Sequence, residues 1–280
     1  MPFSTRSVEA YERLIGRWSR VLANEFIAFT GLSDRERVLD IGCGAGSLTF
    51  ALLAAASLDS VDACDTSPMF VDEVRTQAGD LPIRVALGDA CDLPFETASF
   101  DRALSLLVLQ FVPDTGRAVR EMRRVVRPGG VVAAAVWDIF GGMPANRMLW
   151  DTATALIPSA AAVRAELFGT PIAQVGDLEA AWSAAGLNDV TATTLTVRMH
   201  HANFAEWWDP YATSSGPAGS FVSTLSGPQR DLLERHLRSA YEAGRDDGPR
   251  SFTASALACR GVVPPNGPAE MFEAGADERI

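Results

Sequence analysis

The stretch Asp40-Ile41-Gly42-Cys43-Gly44-Ala45-Gly46 constrains this chain more than any other. It closes a short apolar run, 37–42, and opens a segment of helical composition, 47–56. Glycines at alternate positions let a strand turn tightly into a helix and bring backbone close to a ligand with no Cβ in the way. The helix that follows presents free N–H groups and a positive dipole end to an anion. A phosphate or a carboxylate satisfies it, and a carboxylate needs no lysine. There is no G-x-x-x-x-G-K-[ST], which excludes a P-loop, and Ser47 breaks the dinucleotide pattern G-x-G-x-x-G.

The same alternation continues through the first half. Apolar runs at 61–65, 83–89, 100–107 and 131–137 read as strands. Ser67-Pro68 starts one intervening helix, and 114–126 forms another with Val119, Met122, Val125 and Val126 on one face. Arg127-Pro128-Gly129-Gly130 suits a type II turn. Continuous apolar strands separated by helices imply a parallel sheet covered on both faces, an α/β fold.

The second half is less regular. Residues 139–176 look helical and loop-rich, with Pro144, Pro158 and Pro171 as breakers, and 177–186 reads as a helix ending at Gly186. Two β-branched runs, 190–200 and 251–263, bracket a segment rich in Trp, Gly, Ser and Pro, with one amphipathic helix expected near 228–243. An insertion that long serves as a lid or cap more readily than as a hairpin loop.

A formal charge of −11 and an isoelectric point near 4.8 repel phosphate backbones, so no nucleic-acid partner is expected. The apolar stretches at 51–56 and 131–137 fall far short of the roughly 18 residues a membrane helix needs. The charged opening residues lack a secretory apolar core. Cys43, Cys64, Cys91 and Cys259 form no C-x-x-C pair or zinc spacing, and there are three histidines, so no metal is expected. Free thiols in apolar surroundings fit a reducing, cytoplasmic compartment.

Two further acids stand where ligands bind in such sheets. Asp65 closes the second strand about 20 residues after the glycines, the place of a ribose-binding acid, though a strand-end Asp also caps helices. Asp89 follows the third strand, where its carboxylate suits an adenine amino group and the Ala90 N–H a ring nitrogen; a turn-forming Asp is the plainer reading.

Taken in order, DIGCGAG, ACDTSPMF, GDACDLPF…SFD and REMRRVVRPGGVV resemble a class I S-adenosylmethionine-dependent methyltransferase, within its ubiquinone/menaquinone-type small-molecule branch. Tyr11…Gly16-Arg17-Trp18-Ser19-Arg20 and Cys259-Arg260-Gly261 resemble that branch less specifically. The resemblance implies a Rossmann-like, doubly wound, seven-stranded sheet, mostly parallel with an antiparallel last strand, which sets 190–200 beside 251–263. It implies S-adenosylmethionine as cofactor, held by Asp40, Gly42, Gly44, Gly46, Asp65, Asp89 and Ala90. Thr66 and Met69 would flank ribose and adenine, and Leu106 and Leu107 would face the methionine moiety. Many relatives carry His where this chain has Gln110, so the resemblance supplies no general base there.

The expected organisation is a single domain over 1–263: an N-terminal helical segment 1–34, a cofactor-binding core 35–140 and a cap insertion 202–250. A flexible tail, 264–280, follows. Phe204, Trp207, Trp208, Tyr211 and Phe221 either line a pocket for a flat or apolar acceptor or form the insertion's own small core. Arg17 either pairs with the methionine carboxylate or makes an ion pair with Glu12 or Glu25. Trp137, Asp138 and Gln110 stand at strand ends as acceptor contacts, although Asp138 equally suits a cap. His200 and His201 end the sixth strand. The expected reaction is in-line methyl transfer to an O, N or C atom of a small molecule. A nicotinamide oxidoreductase and a non-catalytic cofactor-binding protein are its rivals; the acceptor, a catalytic residue and the oligomeric state are not readable.

Overall fold

The structure, a computed structural model, describes residues 9, 12–170, 172, 174–213 and 216–265. Tyr11, Pro171 and residues 266–280 of the expected tail lie outside them. The apolar runs become seven strands: β1 (Arg37–Ile41), β2 (Ser60–Asp65), β3 (Ile83–Leu87), β4 (Phe100–Leu106), β5 (Val126–Trp137), β6 (Asn188–His201) and β7 (Arg250–Val262). They form one sheet in the order β3-β2-β1-β4-β5-β7-β6. β1 to β5 are parallel, and β7 is antiparallel to both neighbours, β5 and β6. β6 therefore points the same way as β1. Strand order reverses between β1 and β4, which opens a crevice at their carboxyl ends.

The helices, in chain order, are α1 (Arg17–Thr30), α2 (Ser47–Ala55), α3 (Pro68–Ala78), α4 (Thr115–Val125), α5 (Pro144–Leu156), α6 (Ala160–Phe168), α7 (Asp177–Ala184), α8 (Phe204–Thr213), α9 (Pro217–Ser223) and α10 (Gly227–Glu242). A π-helical turn (Glu12–Gly16) leads into α1. α1, α2 and α3 cover one face of the sheet; α4 and α7 cover the other. α4 shows why: Ala118, Val119, Met122 and Val125 recur every three or four residues and are fully buried, while Asp114 caps the helix by accepting the Arg117 N–H at 2.9 Å.

Three expectations change. β5 starts at Val126, because the 127–130 turn is absorbed as an irregularity in the strand. Val126 pairs with Phe100 before the register shifts, and Gly129 keeps a φ of 79°. Second, 202–250 holds three helices rather than one. Pro210 lies inside α8 and Pro217 opens α9, so local propensity hides both. Third, α5 and α6 join them: Leu149, Trp150, Phe168, Phe204, Trp207, Trp208, Phe221, Leu233, Leu237 and Tyr241 share one buried cluster. Tertiary packing, not periodicity, joins these helices into the one cluster of the expected cap. Among the described residues, no helix is long and apolar enough to cross a membrane.

The N-terminal helix is fixed to the sheet by a buried arginine. Arg102 on β4 donates to the carbonyls of Thr30 at 2.6 Å and Gly31 at 2.8 Å, and pairs with Glu36 just before β1. Arg102 is 7% exposed, so its charge is well shielded from water. Removing it leaves a shielded carboxylate and helix-end carbonyls without their donor. Arg102→Ala is expected to cost about 3–5 kcal/mol of folding stability, read from urea unfolding; a loss below about 1 kcal/mol would show the pair to be ornamental.

Candidate active site

The glycine loop between β1 and α2 sits at the carboxyl edge of the sheet. Gly42, Gly44 and Gly46 have φ values of 73°, 51° and 84°. At Gly42 a Cβ would land on the methyls of Val108, which follows β4, so this glycine lets two loops touch. The Gly42 and Cys43 N–H groups donate to the Cys64 carbonyl at 2.8 and 3.0 Å. Gly44 donates to Asp65 Oδ2 at 3.0 Å, while Asp65 Oδ1 accepts the Ser67 N–H at 2.9 Å. α2 then begins without a side-chain cap, and Ser47 Oγ is buried with no partner.

Three acids stand at the ends of β1, β2 and β3. Asp40 is 1% exposed and accepts the Thr49 hydroxyl at 2.6 Å. Burial, reinforced by the nearby charge of Asp65, outweighs that hydrogen bond and pushes its carboxyl up to about 7. Burial also raises Asp65, against its backbone hydrogen bonds. Asp89 is exposed, with Oδ1 accepting the Cys91 N–H at 2.8 Å, and Ala90 behind it is buried. Among the described residues, none of the three has an ion-pair partner. Thr66 is exposed and Met69 half-buried at the start of α3.

β4 ends in strained backbone. Leu107 takes a φ of 65°, rare for a branched side chain, and donates its N–H to Ala135 at 2.7 Å. Leu106 and Leu107 are both buried. Gln110 is buried too, in a 3₁₀ turn (Leu109–Phe111), where Oε1 accepts the Trp137 N–H at 3.0 Å. It pins the end of β5 to the turn after β4. Trp137 packs into the sheet core, and Asp138 Oδ1 accepts the Gly141 N–H at 2.9 Å, as a turn former does.

Arg17 takes neither expected acid. Glu12 pairs with Arg20, whereas Arg17 Nη1 meets Glu206 of α8 at 2.5 Å and Nη2 lies 3.3 Å from His201 Nδ1. An arginine only donates, so Nδ1 of His201 accepts and Nε2 carries the proton. Burial and Arg17 push His201 down to about 4. The Arg17 Nε is buried without a partner. This joint binds α1 to the cap at the carboxyl edge. Trp207 and Trp208, 1% and 2% exposed, pack within the cap cluster, while Tyr211 is half-buried on the same helix. Glu206 and His201 were missed as Arg17's partners because nothing local marks a pair 189 residues apart.

Known proteins resemble this chain in sequence over the β1–β5 region and in fold. Residues 39–134 match the family described as methyltransferase domain. Those residues form a methyltransferase domain. A 2-methyl-6-phytyl-1,4-hydroquinone methyltransferase of rice, Oryza sativa, is 32% identical over 124 residues, 43% of this chain and 36% of that protein. The chain thus spans about a third of the quinone-type relative it matches. An uncharacterised protein of Mycobacterium tuberculosis is 29% identical over 215 residues, 74% of this chain and 77% of its own, so likeness extends beyond the methyltransferase domain. In structure, phosphoethanolamine N-methyltransferase 2 of Haemonchus contortus, solved with phosphomonomethylethanolamine and S-adenosylhomocysteine, superposes with a TM-score of 0.58 at 18% identity. It covers 92% of this chain and 57% of that one, a likeness of fold.

The raised carboxyl of Asp40 makes stability depend on pH. Its folded value, about 7, stands above its unfolded value of 3.8. The stability it contributes is complete below the unfolded value and is lost as pH rises through the folded one. His201 slopes the other way: its contribution is present above 6.5 and lost as pH falls toward 4. Asp40→Asn should therefore remove a decline of up to about 1.4 kcal/mol per pH unit between roughly pH 4 and 7. Urea unfolding of both proteins across that range reads it; parallel profiles would mean that Asp40 titrates normally.

Proposed function

We propose that the chain is an S-adenosylmethionine-dependent methyltransferase acting on a small molecule. The observation that carries this reading is the set of acids at the ends of β1, β2 and β3, without counter-ions among the described residues, around a left-handed glycine loop. A buried carboxyl raised by desolvation and by a neighbouring carboxylate, as Asp40 is by Asp65, is relieved by a cation. S-adenosylmethionine brings a sulfonium and an ammonium. A dinucleotide brings a pyrophosphate, which these acids would repel, so the oxidoreductase rival fits less well.

Each residue then has a role. The loop around Gly42, Gly44 and Gly46, with the uncapped start of α2 and the unpaired Ser47 hydroxyl, receives the methionine carboxylate. Asp40 faces the ammonium. Asp65 keeps lone pairs for the ribose hydroxyls beyond its two backbone bonds, since a carboxylate accepts about four. Asp89 and Ala90 take the adenine edge, Thr66 and Met69 flank it, and Leu106 and Leu107 bound the methionine chain. When bound, the cofactor supplies an activated methyl group; the chain has to orient an acceptor roughly 3 Å away and exclude water. Gln110 is occupied by Trp137, and we assign it a positioning role rather than that of a base.

We further propose that 35–140 is the cofactor core and that 202–250, together with α5 and α6, is a cap that selects the acceptor. Its aromatic cluster and the rice relative's named hydroquinone substrate favour a flat, apolar molecule with a polar edge. Arg17 serves the cap joint with Glu206 in this arrangement, and its unpaired Nε is what remains for a cofactor carboxylate. Four free cysteines favour a cytoplasmic location.

Calorimetric titration is expected to give micromolar binding of S-adenosylmethionine and S-adenosylhomocysteine, about −8 kcal/mol, and none of NADH. The reverse would overturn the reading. Asp65→Ala should weaken cofactor binding by about 2–4 kcal/mol. A strand-end acid would be expected to matter little for folding, but this one holds Gly44 and Ser67, so about 1–3 kcal/mol of stability goes as well. Binding that survives within about threefold would move the ribose contact elsewhere.

A further inference from the structure

The cap core satisfies some of its buried aromatic polar groups and leaves others open. Tyr241 donates its hydroxyl to the Gly248 carbonyl at 3.1 Å, and under the sheet Trp182 donates its indole N–H to Val132 at 3.0 Å. Trp207 does not follow them. It is 1% exposed, and its indole N–H is buried with no hydrogen-bond partner. One helical turn later on α8 stands Tyr211, with ring centroids 5.5 Å apart. Tyr211 is half-buried, its partial burial pushes the hydroxyl up to about 12, and the hydroxyl makes no hydrogen bond among the described residues. Thr154 Oγ1 on α5 is a further buried hydroxyl of the cap without a partner.

Buried polar groups are overwhelmingly paired in folded proteins, and an unpaired one calls for an explanation. Here Trp207 and Tyr211 sit on the helix that leaves the carboxyl edge directly after β6. That helix touches the π-helical turn before α1, and its Glu206 grips Arg17. Both residues thus belong to the helix that starts at the carboxyl edge of the sheet, the edge on which the glycine loop also lies. Trp only donates and Tyr both donates and accepts, so the missing atom is a hydrogen-bond acceptor.

We propose that Trp207 and Tyr211 are specificity-determining residues whose indole N–H and hydroxyl bind an oxygen of the methyl acceptor and discriminate against an amine in its place. This rests on the methyltransferase reading above. A site built to bond an oxygen rejects the analogue that lacks it, because its own buried groups are then left open. The rings packed around Trp207 supply the apolar bed, and the two polar groups supply the selection.

The test uses the full chain saturated with S-adenosylhomocysteine, titrated calorimetrically with 1-naphthol and with 1-naphthylamine, two probes of one shape. The wild-type protein should prefer the naphthol by about tenfold, the value of one good hydrogen bond. Trp207→Phe keeps the ring and removes the N–H. It should reduce that preference below about threefold, leave S-adenosylhomocysteine affinity unchanged and leave Tm unchanged or higher. Tyr211→Phe gives the same reading should the first substitution disturb the cap. An unchanged preference in both variants, or a fall in Tm with no change in preference, would show the groups to be held by structure or buried water. Either result overturns the inference, as does a loaded wild-type protein that ignores naphthol. Failure to bind S-adenosylhomocysteine at all is a different result, since it removes the methyltransferase reading itself.

Discussion

The carboxylate of Asp65 accepts one N–H from the glycine loop and another from the start of α3, so the loops after β1 and β2 are joined at a single acid. The neighbouring constraint at Gly42, where only a missing Cβ lets Val108 approach, ties in the loop after β4. Three loops from three parallel strands thus become one surface. The energy that holds it is modest, a few hydrogen bonds worth about 1 kcal/mol each. Its precision comes from geometry: left-handed backbone at three glycines leaves the chain almost no other path between Ile41 and Ser47.

That surface carries its charge unbalanced. Asp40 lies deep in the sheet with Thr49 as its side-chain partner, and Asp65 is close enough to disfavour its ionisation. Folding tolerates this because a protonated acid is cheap to bury, whereas an ionised one is not. Elsewhere acids find arginines: Asp62 with Arg84, Asp101 with Arg127, Glu121 with Arg124. The contrast separates acids paired with arginines from Asp40 and Asp65, whose hydrogen-bond partners are a hydroxyl and backbone N–H groups.

The core and its loop were legible in the sequence because their causes are local. Strands covered on both faces must be apolar along their length, as 131–137 is, and glycines at 42, 44 and 46 state their backbone need directly. The cap was less legible. Pro210 and Pro217 break the helical pattern of α8 and α9, and of the two readings of the aromatics, a pocket lining or the insertion's own small core, the buried cluster matches the second. Partners far apart in sequence left no trace at all. Arg17 was read against the nearby Glu12 and Glu25, yet it finds Glu206, because α1 and α8 meet only once the sheet has formed. Gln110, expected as an acceptor contact, holds the Trp137 N–H at the end of β5, and Asp138, expected equally as an acceptor contact or a cap, holds a backbone N–H of the following turn.

The position of the cap follows from one strand direction. β7 runs against both neighbours, so the connection from β6 must leave and return at the same edge of the sheet. Because β6 points the same way as β1, that edge is the carboxyl one, where the glycine loop lies. The segment after β5 leaves from the same edge, so α5 and α6 meet α8, α9 and α10 and bury Trp150 against Phe221. A parallel β7 would have carried the chain back to the amino edge after a single crossover and given these helices no common ground. One antiparallel strand thus gathers two long insertions over the site. The Arg17–Glu206 joint, partly open to water and correspondingly weak, closes α1 onto them without locking them in place.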